Sequence, residues 1–315
     1  LRPPYCPRSC FYVSSFIIGD GGKTACRKPH SNGGDMKKVI SALIFVVALS
    51  SVAAAGPWVQ EKGRSQFALT TGYTHFNTYL NADGNEKDLN DHVRRLELLA
   101  YYNAGLGNNS DISVLAGHST TSSRDPIPGV TSHRIRGVSD LSVRYKKQIH
   151  NKHSAIALIA GVRIPGSYNE EFLNSPGDGS FDFEAGASYG EYYRERNFYY
   201  TADAIYRVRT SSTPDELEVD LEIGRVFADV WLARALVSRI SCTDGYSTSH
   251  TALGTAPTQV SSFSYLNKDK VRIGAGLTRQ TGRLSSVGIT VLQTSTGSNA
   301  PKDRTFYLTY SVQNK

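Results

Sequence analysis

Methionine, cysteine and long apolar runs are scarce in this 315-residue chain, and each shortage excludes something. After Gly56 no stretch reaches the about 20 consecutive apolar residues that a helical membrane span requires. Of the four cysteines, Cys6, Cys10 and Cys26 lie upstream and only Cys242 follows, so the later part of the chain is no disulfide scaffold. The sole methionine, Met36, opens the stretch MKKVISALIFVVALSSVAAAG. Two lysines, an apolar run from Val39 to Leu49 broken only by Ser41, and Ala53-Ala54-Ala55 reproduce the charged region, apolar core and A-x-A cleavage site of a secretory signal peptide. The competing reading, a buried helix at the edge of a soluble domain, has no need of that order. Residues 1–35 are expected to be a non-native upstream extension, residues 36–55 a signal peptide and residues 56–315 the working domain. A metal knuckle from Cys6, Cys10, Cys26 and His30 would have loose spacing and would precede an export signal.

A strong positive charge is also missing once the upstream part is set aside. The whole chain carries +7, but residues 1–55 hold seven of its 35 Lys and Arg and only two of its 28 Asp and Glu. That leaves 28 against 26, a net +2. No nucleic-acid partner follows from so even a balance.

What is present is period two. Phe181, Phe183, Ala185, Ala187 and Tyr189 alternate with Asp182, Glu184, Gly186, Ser188 and Gly190. Phe198, Tyr200, Ala202, Ala204, Tyr206 and Val208 alternate with Tyr199, Thr201, Asp203, Ile205, Arg207 and Arg209. Leu217, Val219, Leu221 and Ile223 oppose Glu216, Glu218, Asp220 and Glu222, and Phe306, Leu308, Tyr310 and Val312 close the series. Each run is a strand with one oily face. Short polar links (GLGNNSD, HNKH, RERN, TGRLS) alternate with longer segments at Asn81–Asp91, Ser122–Arg136, Pro165–Ser180 and Cys242–Gln259. Short turns at one end and long loops at the other mark an outer-membrane barrel. The fold class expected is all-β, an antiparallel transmembrane β-barrel of about 12 strands. The predicted strands are 65–80, 92–104, 111–121, 137–149, 154–165, 180–192, 197–210, 215–225, 229–241, 260–280, 285–295 and 303–313. Keeping 260–280 as one strand follows the even count of such barrels. Tyr101, Tyr102, Tyr192, Tyr193, Tyr199 and Tyr200 lie beside short turns, where an aromatic girdle belongs.

Three segments carry a resemblance: RGVSDLSVRYKKQIHNKHSAIALIAGVRIPGSY (Arg136–Tyr168), GDGSFDFEAGASYG (Gly177–Gly190) and TSTGSNAPKDRTFYLTYSV (Thr294–Val312). With Gly137, Asp140, Leu141, Arg144, Tyr145, Pro165 and Gly166 in place, the chain resembles the meta-pathway phenol-degradation family of outer-membrane transporters. That resemblance implies a Gram-negative outer-membrane location and a transport role for hydrophobic or aromatic compounds. The implied partners are outer-membrane lipids, a small hydrophobic solute and the barrel-assembly machinery. Barrels of this kind commonly end in a Phe that the machinery reads, whereas this sequence ends Val312-Gln313-Asn314-Lys315.

The lumen candidates are Arg144, Arg163, Asp182, Glu184, Asp203, Arg207, Arg209, Glu218, Asp220, Glu222 and Arg272. Glu218, Asp220 and Glu222 are expected to face Arg207 and Arg209 across neighbouring strands. The set is either a structural ion-pair network or a charged constriction that selects solutes. A lipid hydrolase would use His118, yet His118 and Ser119 are adjacent and so point to opposite faces, with no acid evident to orient the imidazole. Asn81, Asp83 and Asn85 have chelator spacing, but Glu86 and His92 occupy the positions where a calcium loop needs Gly and Glu. No catalytic residue, metal site or cofactor is expected, so the chain reads as a channel and not an enzyme. A structural or adhesive barrel without transport is the alternative.

Overall fold

In the computed structural model, residues 56–122, 134–167, 177, 179–210, 214–243 and 269–314 are described. The expected upstream extension and signal peptide, residues 123–133 and 244–259 of the predicted long loops, and residues 260–268 of the tenth predicted strand lie outside them. The strands are β1 (Ser65–Leu80), β2 (Glu86–Gly107), β3 (Ser110–Ser122), β4 (Arg134–Val138), β5 (Leu141–Asn151), β6 (Ser154–Ile164), β7 (Asp182–Tyr193), β8 (Phe198–Arg209), β9 (Glu216–Phe227), β10 (Trp231–Cys242), β11 (Asp269–Gln280), β12 (Ser285–Ser298), β13 (Ala300–Pro301) and β14 (Arg304–Asn314). All pairings between these strands are antiparallel and run between barrel neighbours, and β1 pairs both β2 and β14, which closes the sheet on itself.

Two of the fourteen are halves of others. β3 pairs β5 over Ser110–Leu115 and β4 over His118–Ser122, so β4 and β5 form one wall strand broken at Ser139-Asp140. β13 and β14 likewise share β1. The wall is therefore a closed 12-stranded antiparallel barrel, the architecture expected from the alternation and the even strand count of such barrels. One loop is shorter than expected: β2 begins at Glu86, and the Asn81–Asp91 segment shrinks to a hairpin over Asn81–Asn85. Asn81 Oδ1 accepts the amides of Asp83 and Asn85 at 3.1 and 2.8 Å, so its side chain closes the turn.

Local chemistry fixes the turns at the opposite end. Asn108 and Asn109 adopt φ of 51° and 56°, the left-handed pair of a two-residue hairpin that asparagine tolerates. Asn197 and Asp229 do the same at the β7–β8 and β9–β10 turns. Ser65 and Asn314, the ends of the barrel wall, are paired with each other at this short-turn end.

The outer face is oil. Leu96 is 58% exposed, Ile289 54% and Leu308 52%, alongside Phe67, Phe183, Leu221, Ile223 and Phe306. A water-facing surface would not carry so continuous an apolar belt, whereas a closed barrel presents one to lipid because every backbone polar group is paired within the wall. Ile289→Arg, in the middle of this belt, is expected to cost about 2–4 kcal/mol of folding stability. Urea unfolding in lipid vesicles measures it, with lumen-facing Thr290→Arg as the milder comparison.

The tyrosine girdle needs correction. Tyr102 and Tyr193 face outward, but Tyr199 is fully buried inside the barrel and Tyr101 lines the lumen. Adjacent strand residues point to opposite faces, so a tyrosine pair can give the girdle only one member. The outward aromatic cluster instead joins Tyr189, Tyr193, Phe198 and Tyr200, with ring centroids 6.0–6.3 Å apart. Tyr189 and Tyr193 both donate to Glu191, which satisfies a carboxylate on that face.

Candidate functional site

The lumen has two unlike halves. On β5 to β9, strand alternation turns Arg144, Arg163, Asp182, Glu184, Arg207, Arg209, Glu216 and Glu218 inward. Arg207, only 3% exposed, is the hub. Its guanidinium reaches Glu184 at 3.0 Å, Glu218 at 3.2 Å and Asp182 at 3.9 Å, and donates to Glu216. Arg144 grips Glu184 with two bonds of 2.6 and 3.1 Å, Arg163 approaches it to 3.7 Å, and Arg209 pairs Glu216 at 2.6 Å. Four guanidiniums thus meet four carboxylates in a balanced cluster against one wall, near the long-loop end.

Of the pairings predicted across β8 and β9, that of Arg207 with Glu218 is present, while the register places Asp220 and Glu222 opposite other residues. Arg207 stands opposite Glu216, Ile205 opposite Glu218, Asp203 opposite Asp220 and Thr201 opposite Glu222. The β8–β9 connection sets this register: the Asp215 carboxylate caps the Arg209 amide at 2.9 Å. Glu222 therefore turns to other partners, accepting from the Tyr199 hydroxyl and lying 3.5 Å from Arg234 on β10. Arg272 on β11 stands opposite Ser238, which in turn stands opposite Asp220.

The opposite half, β1, β12 and β14, is lined with hydroxyls. Thr70 and Thr309 are 2.9 Å apart, as are Thr74 and Thr305, and Ser286 and Ser311 are 2.8 Å apart. Between the halves lies a chamber of about 420 Å³ walled also by Leu99, Leu115, Ile159, Ile205, Tyr101 and Tyr307.

A third component is absent from the strand pattern altogether. Gly56–Gln60 runs inside the barrel at its short-turn end, and Pro57, Trp58, Val59 and Gln60 are all buried. The Gln60 amide donates to Asp111 at 3.1 Å, Gln148 donates to the Pro57 carbonyl at 3.2 Å, and Lys146 Nζ donates to the Gly56 carbonyl at 2.7 Å. The Trp58 ring packs edge-on against Tyr199 at 6.2 Å. Two glycines make the room. A Cβ at Gly105 would stand 2.0 Å from the Glu61 carbonyl where the segment turns inward, and one at Gly190 would stand 2.8 Å from the Trp58 ring.

Sequence reasoning missed Glu216 as a site residue, and also Lys146, Tyr199, Arg234 and the internal segment. The apolar Pro57-Trp58-Val59, left over before the first strand, was the available signal. Of the seven single residues that carry the family resemblance, Asp140 and Gly166 meet. The Gly166 amide donates to Asp140 Oδ1 at 3.2 Å, and both lie at the break between β4 and β5. His118 is exposed on the outer face and Ser119 is buried facing inward, so they do not meet.

No family model matches the chain, and no curated protein matches it in sequence. Solved structures do. An outer membrane channel from Pseudomonas putida F1 superimposes with a TM-score of 0.65 at 10% identity, covering 81% of this chain and 97% of that one. The KdgM porin gives a TM-score of 0.41 at 8% identity, covering 77% of this chain and 98% of that one. A monoaromatic hydrocarbon channel, CymD, gives 0.39 at 6% identity over 87% and 92%. The fold is that of Gram-negative outer-membrane barrels.

Proposed function

We propose that the protein is an outer-membrane channel for small hydrophobic or aromatic solutes. The observation that carries this reading is the chamber. Its 420 Å³ falls within the range of about 300–1,000 Å³ of small-molecule sites, and Leu99, Leu115, Ile159, Ile205 and the rings of Tyr101 and Tyr307 give it apolar surface among a larger number of hydroxyl, amide and charged side chains. Such a lining offers apolar surface to a compact ring and hydrogen-bonding partners to its polar substituents.

In this reading the Arg207 cluster shapes one wall and keeps it rigid, while Gly56–Gln60 narrows the short-turn end beside it. The solute path runs along the hydroxyl half, where Gln66, Ser286 and Ser311 extend the chamber towards that end. The test is uptake of a phenol-sized solute into liposomes containing the folded protein. Uptake above that of protein-free vesicles, reduced several-fold by Ser311→Trp, is the expected result. Equal uptake with and without protein would leave a barrel without transport.

A further inference from the structure

Gly56 occupies a site whose chemistry asks for more than a peptide group. Its nitrogen lies 3.1 Å from Asp203 Oδ2, and the other carboxylate oxygen of Asp203 accepts from Ser188. Among the described residues no lysine or arginine forms an ion pair with Asp203. Asp203 stands opposite Asp220, and Thr201 two residues earlier stands opposite Glu222, so the nitrogen points into an acidic corner. Lys146 is the nearby base, and its Nζ is bonded to the Gly56 carbonyl. A backbone amide would give Asp203 one neutral hydrogen bond. An ammonium there would give it a counter-charge and a charge-assisted bond, roughly twice as strong.

The sequence places a cleavage signal at this same position, since Ala53-Ala54-Ala55 satisfies the small-residue rule for cutting before Gly56. We propose that the Ala55–Gly56 bond is the processing site and that the α-ammonium it releases is the resident counter-ion of Asp203, fastening the internal segment in the lumen. Hydrolysis by a signal-cleaving protease consumes one water, leaves a carboxylate on Ala55 and gives Gly56 an amine. That amine takes up a proton at neutral pH, because a free α-amino group titrates near about 7.7–8.0. The glycine itself fits the seat: a Cβ at Gly56 would stand 2.6 Å from the Thr201 methyl and 2.9 Å from the Trp58 ring. The cleavage rule makes no such demand of the residue after the cut. The lumen makes it.

This inference rests on export to the outer membrane and leaves transport aside, so its test uses no solute. Protein extracted from outer membranes is weighed intact, and its α-amine is then challenged at neutral pH with the N-hydroxysuccinimide ester of acetic acid, acetylation of Gly56 being read on the N-terminal peptide by mass spectrometry. The expected mass is that of a chain beginning at Gly56. The folded barrel should label about tenfold more slowly than the urea-unfolded chain, since reaction follows the fraction of time the segment leaves its seat. Asp203→Asn should bring the folded rate close to the unfolded one, with heat-modifiable gel mobility showing that the barrel has folded. If that variant fails to fold, Gly56→Val supplies the second reading, because it changes no lumen charge and should unseat the amine all the same. A mass starting elsewhere overturns the proposal, as does a folded wild type that labels like the unfolded chain. Protection that survives in both variants overturns it too. A protected amine in a barrel silent for transport would fail the channel reading alone.

Discussion

Arg207→Ala is expected to lower the unfolding free energy of the barrel by about 3 kcal/mol, the lower end of the cost of breaking a buried pair. The measurement is the urea midpoint and slope in lipid vesicles. The size follows from counting charges. Four guanidiniums and four carboxylates are balanced in the native wall, and removing one cation leaves Asp182, Glu184, Glu216 and Glu218 with three. Glu184 is wholly buried and Glu216 is 2% exposed, so water cannot compensate them directly. Arg144 nonetheless keeps its two bonds to Glu184 and Arg209 keeps Glu216, which spreads the excess over the cluster and sets the cost at the lower end. Arg207→Lys should recover part of the loss by restoring charge. It cannot recover all of it, because an ammonium lacks the planar fork that serves several carboxylates at once. Glu218, 19% exposed at the edge of the cluster, provides the contrast: Glu218→Gln should cost no more than about 1 kcal/mol.

The same cluster shows where the sequence is legible and where it is not. Alternation of Phe183, Ala185, Ala187 and Tyr189 with Glu184, Gly186, Ser188 and Gly190 identifies β7 and its two faces, because lipid and lumen differ sharply in polarity. Repeating that reading finds the wall strands, and the even count of such barrels fixes their number at twelve. Register does not follow, since shifting β9 by two residues preserves every face and changes every partner. The shift is decided by a local cap, Asp215 on the Arg209 amide, which alternation cannot express. Arg234 escaped for another reason. Its strand turns Leu232, Leu236 and Ile240 inward and Ala233, Ala235 and Val237 outward, so hydrophobicity does not tell the faces apart. The internal segment is invisible to any periodic test because five residues without a partner strand have no period.

Deleting Gly56–Gln60, with the cleavage signal retained, is expected to raise single-channel conductance several-fold while leaving the barrel folded. The wall makes its own closed ladder from Ser65 to Asn314, and the deleted residues contribute no rung to it. What they contribute is volume and bonds inside the short-turn end. They reach Asp111 on β3, Lys146 and Gln148 on β5, Tyr199 and Asp203 on β8, so they cross most of the charged half. Their removal would free Lys146 from the Gly56 carbonyl and Asp203 from the Gly56 nitrogen, adding one mobile cation and one mobile anion to the widened passage. Conductance should therefore rise without a strong change in preference for cations over anions, which a reversal-potential measurement in a salt gradient reads directly. Trp58→Ala isolates the steric part: it removes the ring packed on Tyr199 but keeps every backbone bond of the segment, so it should give a smaller increase. A conductance unchanged by the full deletion would mean that the constriction lies elsewhere, and the charged wall around Arg207 would be the place to look.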